Sequence, residues 1–232
     1  MELIVDKVSK SFQDKVVLKE ASAVFEEGKI TGLLGRNGAG KTTLFRLINQ
    51  DIDLDSGECR LRDGENELPL SASHVGMVMA ENLLPEFLTG YEFVQFFLDI
   101  RESPSTLSPD DYLEMVEIDV ADRHRIIKGY SSGMQSKLSI LAVVILAPKV
   151  ILLDEPLTAV DVLAGIQLKK LLKTLKKDHI ILLSTHILQL AYDLCDEIVV
   201  LKDGQLTPLA IDRDDSQFEG RIVQVLAGET DD

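Results

Sequence analysis

Basic residues are scarce in this chain: 24 lysines and arginines stand against 39 aspartates and glutamates in 232 residues, a formal charge of -15. That balance argues against a broad electrostatic grip on nucleic acid, which needs clustered cations. Cysteine is nearly absent. Cys59 and Cys195 show no metal-ligand spacing and read as reduced, small apolar side chains rather than as a disulfide framework. Long apolar runs are also missing. The stretch Ile140 to Ala147 (ILAVVILA) falls far short of the about 20 residues that cross a bilayer, and it predicts a buried helix. The opening MELIVDKVSKSF has no basic leader, apolar stretch or small-residue cleavage site of a secretory signal. These absences lead to the expectation of a cytosolic protein that reaches a membrane only through a partner. No internal repeat is visible.

What is present has a clear order. Leu3–Val5, Val16–Leu18 and Lys29–Leu34 predict strands, with turns at Gln13-Asp14 and Glu27-Gly28, and a further β segment is expected over Glu58–Arg62. From Thr89 to Ile118 the apolar spacing becomes helical, with Tyr91, Val94, Phe97 and Leu98 on one face. The stretch Pro104 to Pro109 interrupts it, and a new helix starts at Ser108. After Lys149, strands (Val150–Leu153, His179–Leu183, Glu197–Leu201) alternate with helices (Val162–Leu175, Ile187–Leu194), the rhythm of a parallel sheet covered by helices. A turn at Lys202-Asp203-Gly204 leads into a last β segment, and the acidic end Glu229–Asp232 is expected to fray.

The stretch Gly35-Arg36-Asn37-Gly38-Ala39-Gly40-Lys41-Thr42 matches the phosphate-binding pattern G-x-x-x-x-G-K-[ST] at every fixed position. It predicts binding of ATP or GTP. Glycines let successive N–H groups turn toward a phosphate where a Cβ would crowd the approach. Lys41 adds a positive charge and Thr42 an oxygen for Mg2+. The apolar strand before the loop and the helix predicted over Thr42–Asn49 aim a helix N-terminus at the anion, a context that a bland glycine-rich turn lacks.

Downstream, Val150 to Leu153 end in Asp154-Glu155-Pro156. Successive strand residues point to opposite faces, so the two carboxylates are expected to take different tasks, one near Mg2+ and one toward the γ-phosphate and an attacking water. A solvated turn is the plainer reading of those residues alone. Ser131-Ser132-Gly133 precede an apolar helical run, which by itself means no more than an N-cap. His186 ends another apolar strand at the sheet edge where ligands usually sit, though a lone histidine there is more often structural.

In this order, the motifs resemble those of the ATP-binding cassette (ABC) family, and the resemblance covers nearly the whole chain. It implies an α/β P-loop NTPase core with a mostly parallel sheet, an N-terminal antiparallel β subdomain and a helical insertion over about 84–148, all within one ATPase domain of residues 1–232. The loop residues Gly35, Asn37, Gly38, Ala39, Gly40, Lys41, Thr42 and Thr43 fit Walker A, and Val150–Asp154 fit Walker B. Glu155 fits the catalytic glutamate, Leu157–Asp161 the D-loop and His186 the switch histidine. Phe12 stands where an aromatic residue stacks on adenine, with Val17 as its apolar neighbour.

Catalysis is thereby assigned to Glu155, His186 and Lys41, Mg2+ to Thr42 and Asp154, and ATP contacts across a head-to-tail dimer to Ser131 and Gly133. The implied activity is ATP hydrolysis that drives a separate membrane permease, with the chain peripheral on the inner face of the membrane. Two departures stand out. The signature reads Tyr130-Ser131-Ser132-Gly133-Met134, without the usual glutamine, and resembles that of ABC-2-type exporters. Ala80 replaces the glutamine that helps ligate Mg2+ and senses the permease, leaving Glu81 and Asn82 as neighbouring substitutes. The aromatics Phe87, Tyr91, Phe93, Phe96 and Phe97 are expected to be mostly core, beside a groove for a partner helix to which Glu81, Glu86 and Glu92 lend negative charge. A regulatory module with weak turnover and a soluble, non-transport cassette ATPase are the rival readings.

Overall fold

The computed structural model of the chain describes residues 1–81, 83–101, 104–157 and 160–209, together with 220 and 222. Strands β1 (Glu2–Phe12) and β2 (Lys15–Glu26) form an antiparallel hairpin turned at Gln13, which takes a left-handed φ of 51°. Both are much longer than the segments read from sequence. The pairing is shifted between Val5 and Ser11, and Lys7 and Glu20 also have positive φ, so bulges break the alternation that marks a strand. β3 (Ile30–Leu34) follows and leads through the glycine-rich loop into α1 (Lys41–Ile48). β4 (Ser56–Asp63) then returns to the free edge of β1, and β5 (Asn66–Pro69) pairs with β4, closing an antiparallel sheet of order β2-β1-β4-β5.

A second sheet carries the parallel strands. β6 (Val75–Val78) is short and was not expected as a strand; a Cβ on Gly76 would lie 2.8 Å from Val143, so bare backbone is needed there. Helices fill the next segment: α2 (Gly90–Ile100), α3 (Pro109–Met115), α4 (Val120–Arg123) and α5 (Ser132–Leu146). Ser108 caps α3, with Pro109 in its first turn. β7 (Val150–Asp154), α6 (Val162–Leu175), β8 (Ile180–Thr185), α7 (Leu188–Leu194), β9 (Glu197–Lys202) and β10 (Gln205–Leu209) complete the order. The sheet runs β10-β9-β3-β8-β7-β6, parallel except for the edge pair β9–β10. The runs ITGLL, VILLD and IILLST are buried along their whole length, as strands covered on both faces require.

One core joins the antiparallel sheet, α1 and one face of the parallel sheet through Phe25, Phe45 and Leu152. A second packs α6 and α7 on the other face, with Leu168, Leu172 and Leu190 at its centre. A third lies among the helices, around Phe93, Leu113 and Ile145. α5 is apolar nearly all round because it serves two of them, giving Ile140 and Val143 to the sheet and Leu141 and Ile145 to the helices.

The expectation that the aromatics are mostly core holds for three of the five. Phe93 is buried, Tyr91 and Phe97 pack partly against the helical core, but Phe87 is 80% exposed and Phe96 51% exposed. α2 buries one stripe through Gly90, Phe93 and Val94, and Phe96 falls off it, while Phe87 precedes the helix. Among the described residues no helix is long and apolar enough to cross a membrane. The acidic end Glu229–Asp232 lies outside the described residues.

Candidate functional site at the carboxyl edge of the parallel sheet

β3 ends at Leu34 and the chain turns back on itself over six residues before α1 begins. Gly35 is required because a Cβ there would meet the Leu201 carbonyl at 2.8 Å. Gly40 adopts φ 108°, and a Cβ would strike Val17 Cγ1 at 2.7 Å; Gly38, at φ 78°, faces open space. As N-cap of α1, Gly40 offers no side-chain acceptor, so the first amides of the helix face the cleft without a cap. Lys41 is buried, and its ammonium donates to the carbonyls of Gly35 at 2.9 Å and Arg36 at 3.4 Å.

The strand order explains why distant motifs meet. β8 lies between β3 and β7, and its register sets Leu34 beside Thr185 and Asp154 beside Ser184. Asp154 is therefore reached from both sides: Thr42 Oγ1 donates to its Oδ2 at 2.6 Å, and Ser184 Oγ donates to its Oδ1 at 2.5 Å. Glu155 is placed differently from the expectation of alternating strand faces. The strand stops at Asp154, and Glu155 turns into a left-handed conformation at φ 51°. That turn, not the pleat, brings both oxygens of its carboxylate to 3.0 Å from His186 Nδ1.

An open pocket of ≈580 Å³ lies over this edge. The loop and α1 contribute Asn37, Gly38, Gly40, Lys41, Thr42 and Thr43; the end of β7 contributes Asp154 and Glu155. Phe12 and Val17 come from the hairpin, and with them Gln13 and Lys15, which were singled out by no motif. Their position follows from the hairpin turn, a signal present in the sequence but without a chemical signature. Phe12 is half-exposed, and the Lys10 ammonium sits 5.4 Å from its ring centroid. Ala80 also lines the pocket and brings no side-chain oxygen. Gly35 and His186 border an adjoining cleft of ≈280 Å³, while Ala39 packs toward the core beneath the loop.

The protein-family model described as ABC transporter matches residues 18–158, which hold the loop, the Asp154-Glu155 pair and the helical segment between them. This chain belongs to the ABC transporter family. It is similar over 96% of its length, at 30% identity, to the uncharacterized ABC transporter ATP-binding protein YdbJ of Bacillus subtilis, of which it covers 74%. It is 29% identical to the bacitracin transport ATP-binding protein BcrA of Enterococcus faecalis, over 89% of this chain and 68% of that one. Among solved structures, an ATP binding subunit of an ABC transporter superposes with a TM-score of 0.80 at 26% identity, covering 97% of this chain and 100% of the other. The fold is thus that of an ABC ATPase, a P-loop NTPase, and the chain is an ATP-binding subunit of an ABC transporter with ATP as its nucleotide.

Within this ABC subunit the signature residues stand apart from the pocket. Ser131 caps α5, its hydroxyl accepting the Met134 N–H at 3.2 Å. Gly133 is held against α6, where a Cβ would lie 2.9 Å from both Ala164 Cβ and Asp161 Oδ2. Neither lines the pocket that holds the loop. Of the D-loop, Thr158 and Ala159 lie outside the described residues, as does Asn82 beside Ala80; Asp161 caps α6 through the Ala164 N–H at 3.0 Å. Glu92, expected on an acidic groove rim, is engaged in a capping box, accepting from the Thr89 N–H at 2.8 Å and hydroxyl at 2.9 Å. Those hydrogen bonds hold its carboxyl below the usual range.

The donor set at Thr42 and Asp154 suits Mg2+. Both offer hard oxygens, and their side chains already touch. Among the described residues there is no group of three or more His, Cys, Asp or Glu side chains that holds a metal. A cation held by Thr42 and Asp154 would need further ligands from nucleotide phosphates or water.

Proposed function

We propose that this chain hydrolyses Mg2+-ATP at the carboxyl edge of its parallel sheet, as one of two cassettes that pair head to tail and drive export through a separate membrane permease. The reading treats residues 1–232 as one ATPase domain with a helical insertion over about 84–148, seated on the cytoplasmic face of the membrane. The observation that carries it is the convergence of Lys41, Thr42, Asp154 and Glu155, from separate stretches of chain, on one pocket, with His186 of the adjoining cleft 3.0 Å from the Glu155 carboxylate.

The roles follow from position. The uncapped amides of α1 and the Lys41 ammonium, which now donates to loop carbonyls, bind the β- and γ-phosphates. Thr42 and Asp154 hold Mg2+. When bound, Mg2+ neutralises charge that builds on the phosphate oxygens. Glu155 accepts a proton from the attacking water, His186 orients Glu155 and contacts the γ-phosphate, and Phe12 with Val17 receives the adenine. Ser131 and Gly133 do not line their own chain's pocket, which supports a role on the nucleotide of a second cassette.

Export is supported by the similarity to a bacitracin transport protein and by the Tyr130–Met134 signature. Exposed Phe87 and Phe96 offer apolar surface to a permease. Ala80 favours one rival, a module that closes on ATP but turns over weakly, because its side chain carries no oxygen.

The test is Mg2+-dependent ATP hydrolysis by the purified chain over a range of protein concentrations, with Glu155→Gln as blank. Activity rising faster than linearly with concentration is expected. ATP binding without turnover at any concentration would favour the weak-turnover reading, and strictly linear activity would count against dimer-dependent hydrolysis.

A further inference from the structure

Ser184 is the residue that joins the two carboxylates. It stands next to last in β8, fully buried, directly across the ladder from Asp154. Its hydroxyl lies 2.5 Å from Asp154 Oδ1 and 3.1 Å from the Glu155 backbone nitrogen, and its carbonyl lies 3.2 Å from that same nitrogen. The direction of each bond is fixed by chemistry. An amide N–H only donates, so the Ser184 oxygen accepts there, and its single proton goes to the carboxylate.

The two bonds act on different coordinates of the site. The bond to Oδ1 sets the rotation of the Asp154 carboxylate, whose other oxygen meets Thr42. The pair of acceptors on the Glu155 N–H pins a left-handed residue, a conformation that a side chain bearing a Cβ seldom adopts unsupported. His186 meets the Glu155 carboxylate from the end of the same strand, and between them Thr185 accepts the Ile187 N–H at 3.1 Å to fix the turn. The last residues of β8 thus form one brace. A hydroxyl at a position with no exposure, next to the apolar Leu182 and Leu183, is not explained by packing.

We propose that Ser184 is a positioning residue for ATP hydrolysis, holding Asp154 in its metal-facing orientation and Glu155 in its water-facing one through a single hydroxyl. The proposal rests on the roles assigned above to Asp154 and Glu155.

The experiment compares full-length Ser184→Ala, Ser184→Thr and Glu155→Gln with the unaltered chain. ATP affinity is titrated in chelator and in Mg2+, and turnover is followed against ATP concentration. Ser184→Ala is expected to bind ATP normally in chelator, to lose most of the extra affinity that Mg2+ confers with KM for Mg2+-ATP rising in step, and to lower kcat about tenfold, the size of effect expected from one lost charge-assisted hydrogen bond. Ser184→Thr, which restores the hydroxyl, is expected to recover at least about half of the turnover.

Unchanged kcat and Mg2+ response in Ser184→Ala would overturn the proposal, as would equal impairment of the alanine and threonine variants. If alanine prevents folding, Ser184→Cys takes its place, and turnover equal to that of the unaltered chain would then be decisive against the hydroxyl. Normal hydrolysis by Glu155→Gln would instead remove the base assignment, whatever Ser184→Ala does.

Discussion

Two helices begin beside glycines in this molecule, and their N-termini are built in opposite ways. α1 starts at Gly40, which has no side chain to cap it, and the pocket opens directly over its first amides. α5 starts at Ser131, whose hydroxyl already takes the Met134 N–H, and its glycine, Gly133, is pressed against α6. A helix N-terminus left uncapped in an open cleft has donors free for water or an anionic ligand, whereas a capped one has a donor already taken. Under the proposed function, the phosphate-loop end is a complete binding element within one chain, and the signature end is a surface that waits for another chain's nucleotide.

That contrast is tested by separating binding from turnover. The largest effect is expected for Glu155→Gln, because removing a general base costs about 10²- to 10⁴-fold in rate. Its ATP affinity stays within a few-fold of the unaltered chain in a titration. Near-normal hydrolysis would sink the base assignment. Next comes Lys41→Ala, which removes a buried ammonium from the phosphate side of the loop. ATP binding to the isolated chain should weaken about 10- to 100-fold, the range for lost charge-assisted contacts, and an unchanged isotherm would break the comparison at its first term.

Ser131→Ala sharpens the second term. Calorimetric ATP affinity of the isolated chain should stay within about twofold while hydrolysis falls, and loss of the cap should cost about 1 kcal/mol, a Tm drop of about 2–4 °C. A large affinity loss in the monomer would mean that the signature acts on its own chain's nucleotide. The smallest effect belongs to Met134→Gln, which restores the family's usual residue. Met134 packs against the helical core, so the polar substitution should lower Tm by no more than a few degrees in a thermal melt. A large gain in turnover would show that the missing glutamine limits this cassette.

The site's contiguous parts were legible from residues alone. Gly40 and Lys41 were readable because the phosphate-loop pattern fixes their spacing, and the structure puts them in one pocket. The boundaries of α6 matched because Asp161 announces its start and an apolar 3.6-residue stripe its length. The long hairpin was only half visible, since positive φ at Lys7 and Glu20 accompanies breaks in its pattern. β6 stayed hidden because four residues with a glycine carry too little pattern, even though β7 and α5 give that segment its place. Ser184 appeared in the sequence only as part of a strand end; its task depends on the register that sets it opposite Asp154.

The sequence by itself determined the chemistry available to this protein: a phosphate loop, two adjacent carboxylates, a histidine after an apolar strand and a capped, glycine-containing helix start. These are local properties, set by which atoms a few consecutive residues carry. Only the tertiary structure decided that β8 runs between β3 and β7, that Glu155 leaves the strand through a left-handed turn, and that Ser131 and Gly133 stand outside their own chain's pocket. The reason is physical. Strand order and register arise from burying apolar faces across the whole chain, and no short motif contains that information.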